Sequence, residues 1–197
     1  MQFHTKKFIL PTMPMLSYFS NYFAHLHHRL QTANTEDLIQ AAQLALTANQ
    51  QKRKIICVGN GGSAAMASHV TVDFTKAAGM RAVNFNEADL LTCFANDYGY
   101  ENWVAKALEF YADEGDLVIL ISSSGQSLNM LNGAKQAKEM KLPIVTLSGF
   151  RSDNPLRSKG DVNLWVDSTA YNIVEMTHHV WLLSMIDYLI EQHREND

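Results

Sequence analysis

Residues 117–121 read Leu117-Val118-Ile119-Leu120-Ile121, an apolar run with no polar interruption. The run stops at Ser122-Ser123-Ser124-Gly125-Gln126-Ser127, and a helical pattern follows from Asn129 to Met140. Apolar runs without alternation fit strands buried on both faces, which is the environment of a parallel sheet covered by helices. The turn therefore sits between a buried strand and a new helix. Glycine lets the backbone turn sharply. The helix start presents unpaired N–H groups and a positive dipole end. Hydroxyls add further donors, so the turn suits an oxygen-rich anion, phosphate above all. A serine capping an ordinary helix would leave the same trace.

The same unit occurs earlier in the chain. Ile55-Ile56-Cys57-Val58 is continuous and largely β-branched, and it leads through Gly59-Asn60-Gly61-Gly62-Ser63 into an alanine-rich helical segment, residues 64–78. This is neither the GxGxxG of dinucleotide-binding folds nor a P-loop, because no Gly-Lys-Ser/Thr follows. Further strands are expected at residues 81–84, 143–147 and 162–166. Helical turns are expected at 89–95 and 101–112, with Asn96-Asp97-Tyr98-Gly99-Tyr100 between them as a loop. Strands alternating with helices imply an α/β fold with a parallel sheet flanked by helices. In such sheets ligands bind beyond the carboxyl ends of the strands. Both glycine-serine turns lie there, so they can meet in one pocket.

Before the first strand, residues 1 to about 14 contain Pro11 and Pro14 and read as an irregular arm. Leu16, Phe19, Phe23, Leu26 and Leu30 then recur at three- and four-residue steps, making the apolar face of a first helix. Asn34-Thr35 caps a second. His25, His27 and His28 decorate the end of the first helix; His27 and His28 are adjacent and cannot face one point together. After the last strand comes a long helix, residues 172–192, with Glu175, His178 and His179 in its first turns.

Composition narrows the class. The chain has 197 residues, 47% hydrophobic and 18% charged, with a net charge of −4. That balance fits a globular chain with a real core and gives no electrostatic reason to expect nucleic acid. Cys57 and Cys93 lack CxxC spacing and read as reduced core residues. No apolar run approaches the roughly 20 residues that span a bilayer. The first residues make a poor signal peptide, so the expected location is the cytoplasm.

Chemistry-bearing groups fall on two helices. His69 and Asp73 are four apart and share a face of the helix after the first turn. They read either as a surface pair or as a metal or acid/base pair near a ligand. Glu175 stands at i, i+3 and i, i+4 to His178 and His179.

Gly59-Asn60-Gly61-Gly62-Ser63, His69, Asn96-Asp97-Tyr98-Gly99, Ile121 with residues 122–127, and Thr146-Leu147-Ser148-Gly149, in that order and spacing, resemble the sugar isomerase (SIS) domain. More narrowly they resemble the phosphoheptose isomerases. The likeness covers nearly the whole chain, read as one SIS domain over residues 1–197: arm and helices at 1–50, core at 54–170, terminal helix at 172–192. It implies a three-layer α/β/α sandwich with a five-stranded parallel sheet, long terminal helices for assembly, and a homotetramer whose pockets are shared between subunits. It implies a phosphorylated sugar as substrate, bound at its phosphate by Ser122, Ser124 and Ser127 and at its sugar by Ser63 and Asp97. The turn residues Asn60, Gly61 and Ser123 join them as substrate-facing candidates. The implied reaction is aldose–ketose isomerisation through an enediol, most simply sedoheptulose 7-phosphate to D-glycero-D-manno-heptose 7-phosphate. No nucleotide cofactor is implied.

The chain departs from the family where protons move. The family's histidine and glutamate on the first helix match His69 and Asp73, one methylene shorter. On the terminal helix its glutamine position is Val174, its histidine position is Leu182, and an aspartate position falls at Tyr171. A zinc site of the family type loses two of four members. His69, Asp73, Glu175 and His179 are the candidate replacement metal set, and Asp73, Glu175, His178 and His179 the candidate proton carriers, meeting across a subunit contact. The alternative is a SIS protein without turnover, binding a phosphosugar or, like one regulator of the family, the bacterial replication initiator.

Overall fold

The unbroken apolar runs form the interior of a five-stranded sheet in a computed structural model that describes residues 13–196. The strands are β1 (Ile55–Gly59), β2 (Ala82–Asn84), β3 (Leu117–Ser122), β4 (Ile144–Ser148) and β5 (Val162–Trp165). All neighbours are parallel, in the order β2-β1-β3-β4-β5. Among the described residues seven helices flank them: α1 (Met13–Leu30), α2 (Thr35–Gln50), α3 (Gly62–Lys76), α4 (Ala88–Tyr98), α5 (Trp103–Tyr111), α6 (Leu128–Glu139) and α7 (Tyr171–Asn196).

Strand side chains alternate between faces, and the core divides accordingly. Ile55, Cys57, Ile119 and Ile121 pack with Phe74 of α3 and with Val174 and Leu182 of α7. Ile56, Val58, Val118 and Leu120 pack on the other side with Trp103 and Leu108 of α5 and Met130 of α6. The expected three-layer α/β/α sandwich with a parallel five-stranded sheet is the observed fold. Strand order reverses direction between β1 and β3, so the two turns leaving those strands flank the crevice where such sheets take ligands.

Several boundaries differ from expectation. Helix α1 starts at Met13 and absorbs Pro14, which a first helical turn tolerates because its N–H would be unpaired anyway. Residues 1–12 of the expected arm lie outside the described residues. Phe19 and Phe23 are exposed, although α1 lies along α7 and Trp181 Nε1 donates to Leu30 O at 3.0 Å. Asn96 and Asp97 are not in a loop. They continue α4, whose Leu90, Leu91 and Phe94 lean on the core, and Gly99 at φ +85° ends the helix after them. Cys57 is buried, whereas Cys93 is exposed on α4 and is no core residue. Residues 155–158 form an unexpected short 3-10 turn.

The amino edge of the sheet is stitched by a carboxylate. Asp116 is fully buried; its Oδ1 accepts from Lys54 N at 2.9 Å and its Oδ2 from Asp113 N at 2.7 Å. The Lys54 ammonium pairs with Asp116 at 2.5 Å and Asp113 at 2.6 Å. These bonds join the starts of the central strand β3 and its neighbour β1. Asp116→Ala leaves two N–H groups without their acceptor and the Lys54 ammonium with Asp113 alone, so chemical denaturation is expected to show a loss of about 3 kcal/mol.

Candidate active site

The turns leaving β1 and β3 enclose a cleft of ≈ 290 Å³. One wall is residues 122–127, the other the start of α3, and the first turn of α7 crosses the top. Among the described residues, no lysine, arginine or histidine lines it.

The serine turn is held from behind. Gly125 has φ +63°, and a β-carbon there would collide with the Asn154 side chain. Asn154 is buried just before the 3-10 turn. Its Nδ2 donates to Gly149 O at 3.1 Å and Arg151 O at 2.8 Å, while Oδ1 accepts from Arg157 N at 3.1 Å. Within the turn, Ser122 Oγ donates to Ser127 Oγ at 3.2 Å, and Gln126 N donates to Ser124 Oγ at 3.3 Å. Ser123 Oγ is buried with no protein partner while its residue lines the cleft. A buried hydroxyl without a partner is costly, and this one is enclosed by protein rather than open to the cleft. The start of α6 adds its N-terminal N–H groups.

Gly61 turns the chain at φ +55° into α3, and Ser63 is buried in the first turn. Asn60 is a cleft residue by its backbone, but its side chain is committed elsewhere. Asn60 Nδ2 donates to Asn129 Oδ1 at 3.0 Å, and Asn129 Nδ2 returns a bond to Asn60 Oδ1 at 2.9 Å. Tyr100 OH adds a bond to the same oxygen at 3.1 Å. This reciprocal amide pair ties the two turns together. Sequence reasoning missed Asn129 and Asn154. The signals were a polar residue on the inward side of α6's first turn and an asparagine immediately before Pro155.

Glu175 enters the cleft from α7. Its carboxylate lies so close over Gly62 that a β-carbon on Gly62 would overlap it. Partial burial pushes its carboxyl above the ordinary range. Tyr171, one turn earlier on α7, also lines the cleft.

The other expected groups lie apart. His69 Nδ1 and His179 Nε2 are 2.9 Å apart, and His69 Nε2 is 3.4 Å from Asp73 Oδ2, all within one chain. No subunit contact is needed to bring these three together. Burial, then the neighbouring His69, lowers the His179 pKa, and Asp73 opposes this. One imidazole must donate and the other accept in such a pair. His69 is seven residues beyond Gly62, about 10 Å along the helix, so this trio and Glu175 are not one cluster. Among the described residues, no group of three histidine, cysteine or acidic side chains is placed to hold a metal ion. His178 is fully buried and donates from Nε2 to Ser148 O at 2.9 Å. Burial depresses its pKa to about 4. Asp97 is exposed in a separate groove with Phe94 and Tyr98, where Asn96 Nδ2 donates to it at 2.8 Å. Val174 and Leu182 are core residues; the Val174 methyls sit where a β-carbon on Gly149 would be.

Comparisons with known proteins identify the family and the fold. The SIS domain profile matches residues 18–149. A phosphoheptose isomerase of Helicobacter pylori is 33% identical over 165 residues, 80% of this chain and 84% of that one. A probable phosphoheptose isomerase of Thermoplasma acidophilum is 33% identical over 81% of this chain and 90% of its own. The solved phosphoheptose isomerase of Neisseria gonorrhoeae superposes with a TM-score of 0.80 at 27% identity, over 88% of this chain and 98% of that one.

His178 makes stability depend on pH. Its folded pKa lies below the unfolded value, so the unfolded chain binds more protons between about pH 6.5 and 4. Its contribution is complete above pH 6.5 and is lost as pH falls through that window, up to about 3 kcal/mol. His178→Gln keeps a donor for Ser148 O and cannot titrate. Denaturant melts at pH 7 and 4.5 are expected to show a smaller acid loss in the variant than in the wild type.

Proposed function

The chain belongs to the SIS domain family, and on that premise we propose that it isomerises a phosphorylated sugar between aldose and ketose forms. The substrate is sedoheptulose 7-phosphate and the product D-glycero-D-manno-heptose 7-phosphate, a precursor for lipopolysaccharide or other surface polysaccharide. The observation that carries the reading is the Glu175 carboxylate held over Gly62 in a cleft whose other wall is a phosphate-type serine turn.

The phosphate is taken by Ser122, Ser124 and Ser127 with the N–H groups at the start of α6. This fixes the inert end of the sugar and orients the carbonyl end toward Glu175. Glu175 removes the proton from the carbon beside the carbonyl and returns it to the former carbonyl carbon, while the hydroxyl proton of the first carbon passes to the former carbonyl oxygen through the enediol. A carboxyl with a raised pKa is closer to neutral working pH and suits both transfers. The Ser63 hydroxyl, buried in the first turn of α3 on the cleft wall, is the donor for the oxygen that gains charge in the enediol. His179 follows Glu175 by one turn on the same face of α7, but with His69 and Asp73 it stands outside the cleft lining and is assigned no proton transfer. His178 takes no part, being committed to Ser148 O.

As placed, these residues do not fit zinc. His69 directs one nitrogen at His179 and the other at Asp73, and Glu175 stands apart at Gly62. No step of this reading runs through a metal. Asp97 belongs to the site only if a second copy carries it there, consistent with a homotetramer. The exposed Tyr18, Phe19 and Phe23 of α1 support such an assembly, since aromatic surface of this kind marks contact sites.

A second reading, a phosphosugar binder or protein-binding regulator without turnover, is favoured by Val174 and Leu182. These core residues stand where the family resemblance places a glutamine and a histidine.

NMR of purified protein with sedoheptulose 7-phosphate decides between the two. Turnover is expected in the wild type, with kcat falling about a thousandfold in Glu175→Gln while the sugar phosphate still binds. Binding without turnover in the wild type would establish the regulator. Light scattering is expected to give a mass four times that of the chain, and a smaller species for Phe19→Asp with Phe23→Asp.

A further inference from the structure

Tyr171 stands in the cleft without a role in the chemistry described above. It is 58% exposed, although it opens a helix whose inner face is buried. Its ring meets Phe150 edge to face, centroids 4.8 Å apart and planes at 67°. Phe150 is an unusual neighbour, because its backbone is left-handed at φ +58°. Bulky side chains seldom adopt that region, and it persists only where surroundings impose it. Here Phe150 N donates to Ser168 O at 2.9 Å, and Ser168 Oγ accepts from Ala170 N at 3.2 Å, immediately before Tyr171. The segment after β4 is thus bent so that Phe150 props the Tyr171 ring at the rim.

The position of the ring matters. Tyr171 and Glu175 are one turn apart on α7, so their side chains lie on the same face, about 6 Å apart along the axis. Val174 between them rests against Gly149, beside the Ser123 carbonyl. The ring therefore flanks the space that a ligand crosses from the serine turn to Glu175. An extended sugar phosphate turns C–H groups as well as hydroxyls outward along that path. A fixed aromatic face covers C–H groups well and phosphate oxygens poorly.

We propose that Tyr171, propped by Phe150, is the specificity-determining wall of the cleft, covering the carbon chain of the sugar and selecting long phosphosugars over phosphate or short phosphate esters. This rests on the phosphosugar reading of the cleft. The contact is made by the ring, not by the phenol hydroxyl, and its contribution grows with the number of carbons between the phosphate and the carbonyl.

Calorimetric titration of the whole chain with inorganic phosphate, glycerol 3-phosphate and sedoheptulose 7-phosphate tests this. In Tyr171→Ala, affinity for inorganic phosphate stays unchanged, whereas that for sedoheptulose 7-phosphate falls about tenfold and that for glycerol 3-phosphate about twofold. Tyr171→Phe keeps the wild-type values, and Phe150→Leu, which loses the prop, weakens only the sugar phosphate. An equal loss for all three probes, or no loss for sedoheptulose 7-phosphate, overturns the proposal. Turnover is measured separately. A wild type that binds with this length dependence and does not turn over defeats the isomerase reading and leaves Tyr171 as assigned. A wild type that binds none of the three defeats both.

Discussion

Two missing β-carbons allow the first turn of α7 to lie across the carboxyl edge of the sheet. Gly149 leaves room for the methyls of Val174, and Gly62 leaves room for the carboxylate of Glu175. With a larger side chain at either position, the helix would be pushed off the sheet edge and the cleft would lose its roof. Close packing of this kind tolerates little volume change. Everything above the serine turn depends on it, including where Glu175 points and how far it is desolvated. The partial burial that raises the Glu175 pKa is a by-product of that approach.

Beneath the roof, polar groups do the joining. The Asn60–Asn129 pair connects the turn after β1 with the helix after β3, and backbone bonds from Leu156 N to Gly125 O and from Gly149 N to Ser123 O connect the turn after β3 with the segment after β4, which Asn154 braces from within. Three strand ends are thereby fixed relative to one another by side-chain and backbone amides. Each amide is satisfied by partners that would be lost together. The backbone of the cleft is therefore preorganised, and the Ser122 hydroxyl, which donates to Ser127 Oγ, meets an anion by rotation about a single bond.

The sheet was legible because its runs are so plainly apolar: Leu117 to Ile121 admits one environment only. The serine turn was legible for the same reason, as the first polar stretch after such a run. Asn96 and Asp97 misled because turn-forming residues also sit comfortably at the last turn of a helix, and the stop signal was Gly99 alone. Helical spacing placed His69 beside Asp73 and His179 near Glu175, but spacing within a helix says nothing about which helices touch. That is why the His69–His179 contact and the burial of His178 emerged only from the packing of α3 against α7. The aromatic prop at Phe150 depends on a left-handed backbone, which no periodicity reveals.

Among the described residues, no cationic side chain lines the cleft proposed as an anion seat, on a chain whose net charge is −4. Hydroxyl and N–H dipoles act over a few ångströms, whereas net charge acts over a Debye length of about 10 Å. A phosphate ester approaching this protein is thus weakly repelled at long range and held only on arrival. Salt screens the repulsion and leaves the enclosed dipoles nearly untouched. Moderate ionic strength therefore speeds capture, opposite to the behaviour of anion sites built from lysine and arginine.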